Sequence, residues 1–174
     1  MKAKKKKRGM TLVEVLVSAS IFAFCLAGLL LTFMDLFILT DVSRDSTLAA
    51  ESMRTQLERL HTASFENVTL FNNTSFDVID PNVLINGTPL VIGRGHIEIN
   101  TVTNPFSGET YADLRMARVV VSFRSRNRIV GEDQNLNGAW DEGEDQSGYV
   151  NGTGVLNSPV EAVILIKNFT NSSE

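Results

Sequence analysis

The hydrophobic pattern changes twice along this chain. Residues 15–34 carry no charge and are mostly apolar, and a helix of about 20 such residues can cross a bilayer. From residue 41 to about residue 61 there is neither Gly nor Pro, and apolar residues recur at helical spacing. The two segments predict one helix from Met10 to about residue 61, apolar all round in its first half and amphipathic in its second half.

After Phe65 the pattern changes to short β-branched and aromatic runs, separated by Asn, Thr, Gly and Pro. These runs predict strands at 68–71, 76–79, 83–85, 90–92, 96–102, 116–124 and 160–168. We expect the last two to be antiparallel neighbours, with 125–159 as a long insertion between them. A structureless loop of that length is unusual, which indicates a function or a ligand for it.

The predicted fold class is therefore α+β. A long N-terminal helix, transmembrane in its first half, would pack its second half on a C-terminal antiparallel β-sheet head. Only one cysteine is present, Cys25, so an internal disulfide is excluded.

Charge is distributed unevenly along the chain. The formal net charge is −4, but the first nine residues carry five lysines, Arg8 and no acid. Residues 10–174 therefore hold 10 basic and 20 acidic side chains, which is a net charge of −10. Such an acidic body is a poor match for non-specific phosphate binding. A basic segment before an apolar run is typical of a cytoplasmic flank of a membrane helix.

A secretory signal peptide has the same basic start and apolar core. The apolar run here is longer than a usual signal core, no small-x-small cleavage site follows it, and Glu14 lies where such a core would begin. A lipoprotein anchor is disfavoured because Phe24, a large residue, precedes Cys25.

The order of basic leader, Gly9, Met10, Glu14 and apolar helix resembles the prepilin N-terminal cleavage and methylation motif. The matching letters are KKKKRG-MTLVEVLVSASIFAF, residues 4–24, and the resemblance extends to about residue 35. It implies that a membrane aspartyl peptidase, the prepilin peptidase, cuts between Gly9 and Met10 and methylates the new N-terminus. Met10 stands where phenylalanine is commoner, which favours a minor subunit.

Physical chemistry offers a reason for a glutamate at position 14 in such a motif. A carboxylate at the edge of a hydrocarbon layer is costly unless it is paired, and cleavage creates an α-ammonium group on Met10, four residues away. In the family, the glutamate of one subunit pairs with the N-terminus of its neighbour and sets the axial register of the filament. The alternative is a glutamate at a helix start, favoured by the helix dipole.

The resemblance also implies an organisation of the chain: a cleaved leader (1–9), a transmembrane and filament-core half of the helix (10–35), an amphipathic half (36–64) and a β-rich head (65–174). The precursor would be a single-pass protein of the bacterial inner membrane with its N-terminus in the cytoplasm, and later part of a periplasmic or extracellular filament. Its expected partners are other pilin or pseudopilin subunits, the prepilin peptidase and the inner-membrane assembly platform, with nucleic acid only as DNA-uptake cargo. No nucleophile elbow or phosphate loop occurs, so we expect no enzyme.

Residues 133–144, DQNLNGAWDEGE, match the spacing of an EF-hand calcium loop. The sequence around this loop does not predict flanking helices, so we expect a loop-only Ca²⁺ site. Its expected ligands are five side chains and one backbone carbonyl: Asp133, Asn135, Asn137, Asp141, Glu144 and the carbonyl of Ala139. The alternative interpretation is a solvated acidic loop.

Two other functions stay open beside a minor type IV pilus subunit. One is a minor pseudopilin of type II secretion. The other is a calcium-dependent adhesion, substrate-binding or DNA-binding module that uses the pilin stem as its anchor.

Overall fold

The computed structural model describes residues 11–141, 144 and 156–168. Its elements in chain order are helix α1 (Leu12–Thr62), a 3-10 helix (Asn67–Phe71) and strands β1 (Thr74–Ile85), β2 (Thr88–Thr103), β3 (Thr110–Ser125), β4 (Arg128–Val130) and β5 (Val160–Lys167). The chain divides into two compact units, Met1–Thr40 and Asp41–Glu174. The predicted α+β class, with one long N-terminal helix and an antiparallel sheet, is confirmed.

The first unit contains the apolar half of α1. Every residue from 11 to 40 is exposed, because no other described part of this unit covers the helix. Its hydroxyl groups are satisfied within the helix: Ser18 and Thr32, for example, each donate to the carbonyl four residues earlier at 2.8 Å. By length and composition this helix can cross a membrane.

The second unit contains the amphipathic half of α1 and the head, which is built on a five-stranded antiparallel sheet. Strands β1, β2 and β3 follow one another, and both β4 and β5 pair with the far side of β3. β5 lies along Leu114–Val121 of β3, and β4 continues the same edge along Phe123–Ser125. The predicted antiparallel pairing of the last two strong strands is thereby confirmed.

The weaker strand predictions need correction. The runs 76–79 and 83–85 belong to the single strand β1, and the runs 90–92 and 96–102 belong to β2. A two-residue turn joins β1 to β2, with positive φ at Asn86 (53°) and Gly87 (82°), as a type I′ hairpin requires. The run 68–71 was wrongly predicted as a strand.

Residues 68–71 lie in the 3-10 helix because the chain turns back directly after α1. The carbonyl of Ser64 accepts the N–H groups of both Asn67 and Val68, at 2.9 and 3.1 Å. Val68 is fully buried, so its apolar side chain serves the core from a turn.

The amphipathic half of α1 packs on one face of the sheet and forms two clusters of buried residues. Ala49 is the helix member of the first cluster and Leu60 of the second, and Met53 packs against both. The buried sheet residues are Val78, Ile92, Val121, Phe123 and Val160 in the first cluster, and Ile97, Ile99, Ala117 and Val119 in the second. Helix burial at these positions follows the apolar period of the sequence.

Candidate functional sites

The start of α1 holds the residues of the expected processing and assembly site. Thr11 precedes the helix, and its Oγ1 accepts the backbone N–H of Glu14 at 3.3 Å, which is the geometry of an N-cap. Glu14 lies in the first turn and is exposed. Gly9 and Met10 lie outside the described residues, so the expected scissile bond stays a prediction.

The position of Glu14 suits both interpretations of this residue. A carboxylate in the first turn favours helix formation through the helix dipole. Its exposure within this chain also leaves it accessible to a cation from another molecule. The aliphatic residues that follow it are exposed, with Leu16 at 59% and Ile21 at 59%.

The acidic loop is the second candidate site, and its two terminal carboxylates are buried. Asp133 is 1% exposed and Glu144 is 6% exposed. The oxygens of Asp133 accept the N–H groups of Asn137 (3.1 Å) and Gly138 (2.8 Å). Glu144 Oε1 accepts the N–H of Gln134 at 2.8 Å. Both ends of the loop are thus tied to its own backbone.

The remaining expected ligands join the same network. Asp141 Oδ2 accepts the side-chain amide groups of Asn135 (2.7 Å) and Asn137 (2.6 Å), and Glu144 Oε2 accepts the N–H of Asp141 at 3.0 Å. The N–H of Ala139 donates to Asn137 Oδ1 at 2.7 Å. The structure therefore brings the expected ligand residues together in one loop.

Within residues 11–141, 144 and 156–168, no three His, Cys, Asp or Glu side chains form a group that could hold a metal ion. The three carboxylates of the predicted calcium set, Asp133, Asp141 and Glu144, do not form such a group either; the set also includes two amide side chains and one backbone carbonyl. Calcium accepts ligands of both kinds. The ligand set therefore stays a prediction.

The loop is seated on the sheet by Gly138. A Cβ at this position would lie 2.6 Å from the Cβ of Ser75 on β1 and 3.2 Å from the Cγ of Arg94 on β2. The φ of Gly138 is +76°, which favours glycine. Strand β4 precedes the loop, so no helix flanks it on that side, as the sequence predicts.

Sequence reasoning missed Glu132, which ties the two sides of the insertion together. This residue is 3% exposed, and its Oε2 accepts both the backbone N–H and the side-chain amide of Asn157, at 2.9 and 3.0 Å. Asn157 also accepts a hydrogen bond from Arg118 Nη2 at 2.9 Å. The partners are 25 residues apart, and no local pattern signals a contact at that separation.

Comparison with known proteins places the family signal at the N-terminus. The model of the prokaryotic N-terminal methylation motif matches residues 4–30. No curated protein and no solved structure gives a significant match.

Proposed function

We propose that this chain, which carries the N-terminal methylation motif of the type IV prepilin and pseudopilin family, is a filament subunit that is made as a membrane-anchored precursor. The prepilin peptidase would cleave it between Gly9 and Met10, and it would then assemble with other pilin subunits through α1. The observation that carries the proposal is the methylation motif at residues 4–30, which includes the start of an apolar helix whose residues from 12 to 40 are all exposed.

The exposed apolar surface supports assembly through the helix. Burial of apolar surface is favourable by roughly 25 cal/mol per Å², so residues 12–39 require lipid or other helices around them. The membrane would provide the first environment and the filament core the second. This exposed apolar surface supports a structural role, because association with other subunits would bury it.

Glu14 is the proposed register group of the assembly. In an apolar bundle a carboxylate is stabilised by an opposite charge at short range, and the new α-ammonium of a neighbouring Met10 is such a charge. Each subunit would then supply one acid and one amine, so the contact repeats along a filament without any other charged residue of the apolar segment.

We place the chain among the minor subunits, because Met10 replaces the commoner phenylalanine and because the head carries the insertion after β3. A pilus and a type II secretion pseudopilus both use subunits of this plan. Genes for a secretion outer-membrane channel beside this gene would favour the pseudopilus.

The proposal includes a Ca²⁺ ion in loop 133–144. Support comes from the order of oxygen ligands in the sequence and from the burial of the carboxylates of Asp133 and Glu144. Among the described residues, the donors to these two carboxylates are backbone N–H groups, which carry no full positive charge. A divalent cation would supply the missing charge.

A second candidate function is calcium-dependent binding of a surface, a secreted substrate or DNA through this insertion. It is favoured by the contact of Gly138 with Ser75, because the next strand residue, Phe76, packs on the core beneath α1 and Ser75 therefore faces the other side of the sheet. Replacement of residues 133–144 by a short Gly/Ser linker separates the two functions. Loss of filaments indicates a structural loop, whereas loss of adhesion or uptake with intact filaments indicates a binding loop.

The decisive experiment for the main proposal is mass spectrometry of the protein from its native host. We expect a chain that begins at Met10 and carries one N-terminal methyl group. Gly9→Val should block this processing, and Gly28→Ala, a glycine change in open space on the same segment, should not. A leader that remains attached to the wild-type chain, or a cut beyond the apolar segment, would contradict the proposal.

A further inference from the structure

Two turns of the head lie at the same end of the sheet. Gly93 of β2 pairs with Phe123 of β3, and from there β2 runs back to the Asn86–Gly87 turn while β3 runs on to the Arg126–Asn127 turn. The loop between β2 and β3, residues 104–109, lies at the opposite end of these strands.

This end of the head is tied to the first residues of the unit. Arg126 Nη2 lies 2.7 Å from Asp41 Oδ2, and Arg44 forms an ion pair with the buried carboxylate of Asp80 on β1. Asp41 follows Thr40 directly within α1. The Arg126–Asn127 turn therefore lies close to Asp41, the first residue of this unit.

The tip of the β1–β2 hairpin is apolar and exposed. Leu84 is 62% exposed, Ile85 55% and Val91 51%, and residues 81–93 contain no charged side chain. A group of exposed apolar side chains at one turn is typical of a site that contacts a partner or a membrane.

Arginines surround the neighbouring turn. Between residues 119 and 131 the chain has three arginines, Arg124, Arg126 and Arg128, and no acid, although residues 10–174 as a whole carry a net charge of −10. Arg126 is paired with Asp41, whereas Arg124 and Arg128 are exposed and form no ion pair with any residue that the structure describes. Their positive charge is available to another molecule.

We propose that this end of the head is a membrane-docking foot, in which the hairpin tip (residues 83–85) enters the lipid interface and Arg124 and Arg128 bind phosphates of anionic phospholipids. The inference rests on the proposed membrane-anchored precursor. Apolar side chains beside arginines are the composition of interfacial segments. The planar guanidinium group binds a phosphate through two N–H donors.

Charge complementarity favours lipid over a second head as the occupant. An anionic leaflet attracts basic groups within about one Debye length and repels the acidic remainder of the head. The foot would therefore fix which end of the head faces the membrane while the subunit awaits assembly. Extraction into a filament would then break these lipid contacts.

The experiment uses the full chain in phospholipid vesicles, with Cys25→Ala so that one introduced cysteine can carry a polarity-sensitive fluorophore. Thr88→Cys places the label beside the hairpin tip, and Ser107→Cys places it at the opposite end of the sheet. Vesicles contain phosphatidylcholine alone or with phosphatidylglycerol, plus a lipid that carries a quencher on its headgroup.

We expect the label at position 88 to emit at shorter wavelength and to be quenched in phosphatidylglycerol vesicles, and the label at 107 to behave as in water. Leu84→Thr with Ile85→Thr should remove both effects. Arg124→Gln with Arg128→Gln should remove the dependence on phosphatidylglycerol, and high salt should have the same result. Arg54→Gln with Arg59→Gln, which removes the same charge from an exposed part of α1, should change neither.

The foot is overturned if the label at position 88 resembles the label at 107 while the chain remains embedded in the vesicles. It is also overturned if quenching by headgroups is absent and shielding of the label rises with protein density, since that result assigns the surface to a neighbouring subunit. Both outcomes leave leader cleavage intact, so failure of the foot is distinguishable from failure of the proposed filament function.

Discussion

The carboxylate of Asp133 and the backbone of Gly138 meet inside the acidic loop, where Oδ2 accepts the glycine N–H at 2.8 Å. The other oxygen of Asp133 accepts the N–H of Asn137 at 3.1 Å. Each carboxylate oxygen has a further lone pair, so these hydrogen bonds do not prevent coordination of a cation. They hold the carboxylate in place, which lowers the entropic cost of binding an ion.

Calcium should therefore stabilise the full chain. A ligand at about 100 times its Kd stabilises a protein by about 2.7 kcal/mol. For a chain of this size that corresponds to a rise in Tm of roughly 5–10 °C, measured by differential scanning calorimetry in detergent. A chelator should reverse the rise.

The variant Glu144→Gln tests the assignment of this ion. It should remove most of the calcium-dependent rise in Tm, because it replaces the carboxylate that would close the site with two oxygens. Glu109→Gln, in an exposed loop at the far end of β2 and β3, is the control and should keep the rise. No calcium effect on the wild-type chain at low ionic strength would remove the ion from the loop.

Gly138→Ala should destabilise the head, because Gly138 is the point at which the acidic loop packs on the sheet. The new Cβ would meet the Cβ of Ser75 at 2.6 Å, and its backbone φ of +76° is unfavourable for alanine. Gly108→Ala is a matched control, because Gly108 has a φ of +71° and open space around it. Denaturant unfolding should show a loss of about 1 kcal/mol for Gly108→Ala and about 2–4 kcal/mol for Gly138→Ala. Equal losses would show that the loop moves away from Ser75 without cost.

Arg118 should stabilise the junction between β3 and β5. Its Nε and Nη2 donate to the two oxygens of Glu161 at 2.8 and 3.0 Å, and its side chain is only 12% exposed. Arg118→Met should lower the free energy of unfolding by about 1–3 kcal/mol, since it leaves a partly buried carboxylate without its partner.

The exposed pair of Arg54 and Glu58, 3.1 Å apart on α1, is the control for Arg118. Arg54→Met should cost less than about 0.5 kcal/mol. A double-mutant cycle of Arg118→Met with Glu161→Gln then isolates the pair from other effects of each substitution. A coupling energy near zero would show that the pair does not hold β5.

The sequence predicted those elements whose signal is local and strong. The long helix follows from an unbroken apolar run and an amphipathic continuation without Gly or Pro, and the β3–β5 pair from two dense runs of Val and Ile. The hairpin of β1 and β2 was not predicted, although Asn86–Gly87 is a typical hairpin dipeptide, and Pro81 with the register shifts near it divided β1 into two apparent runs. A proline suggests a strand end, and here it lies at an irregular outer edge.

For the candidate sites, too, only the local pattern was readable from the sequence. The spacing of the acidic loop predicted a calcium ligand set, which stays a prediction, and the structure links Asp133, Asp141 and Glu144 through one hydrogen-bond network. The seat of Gly138 on Ser75 and the bond of Glu132 to Asn157 were not predictable, because each joins residues that lie far apart in sequence and depends on the path of the whole insertion.

Assembly should depend on the charge of Glu14 while processing should not. Loss of one partner of a desolvated ion pair costs about 2–5 kcal/mol, so Glu14→Gln should reduce incorporation into filaments more than about tenfold. Removal of the leader, measured by mass spectrometry, should continue, since the carboxylate lies beyond the expected cleavage site. Glu51→Gln, an exposed position on the amphipathic half of α1, should assemble normally. Normal assembly of Glu14→Gln would instead assign Glu14 to the helix start, where its interaction with the dipole is worth only about 0.3–1 kcal/mol.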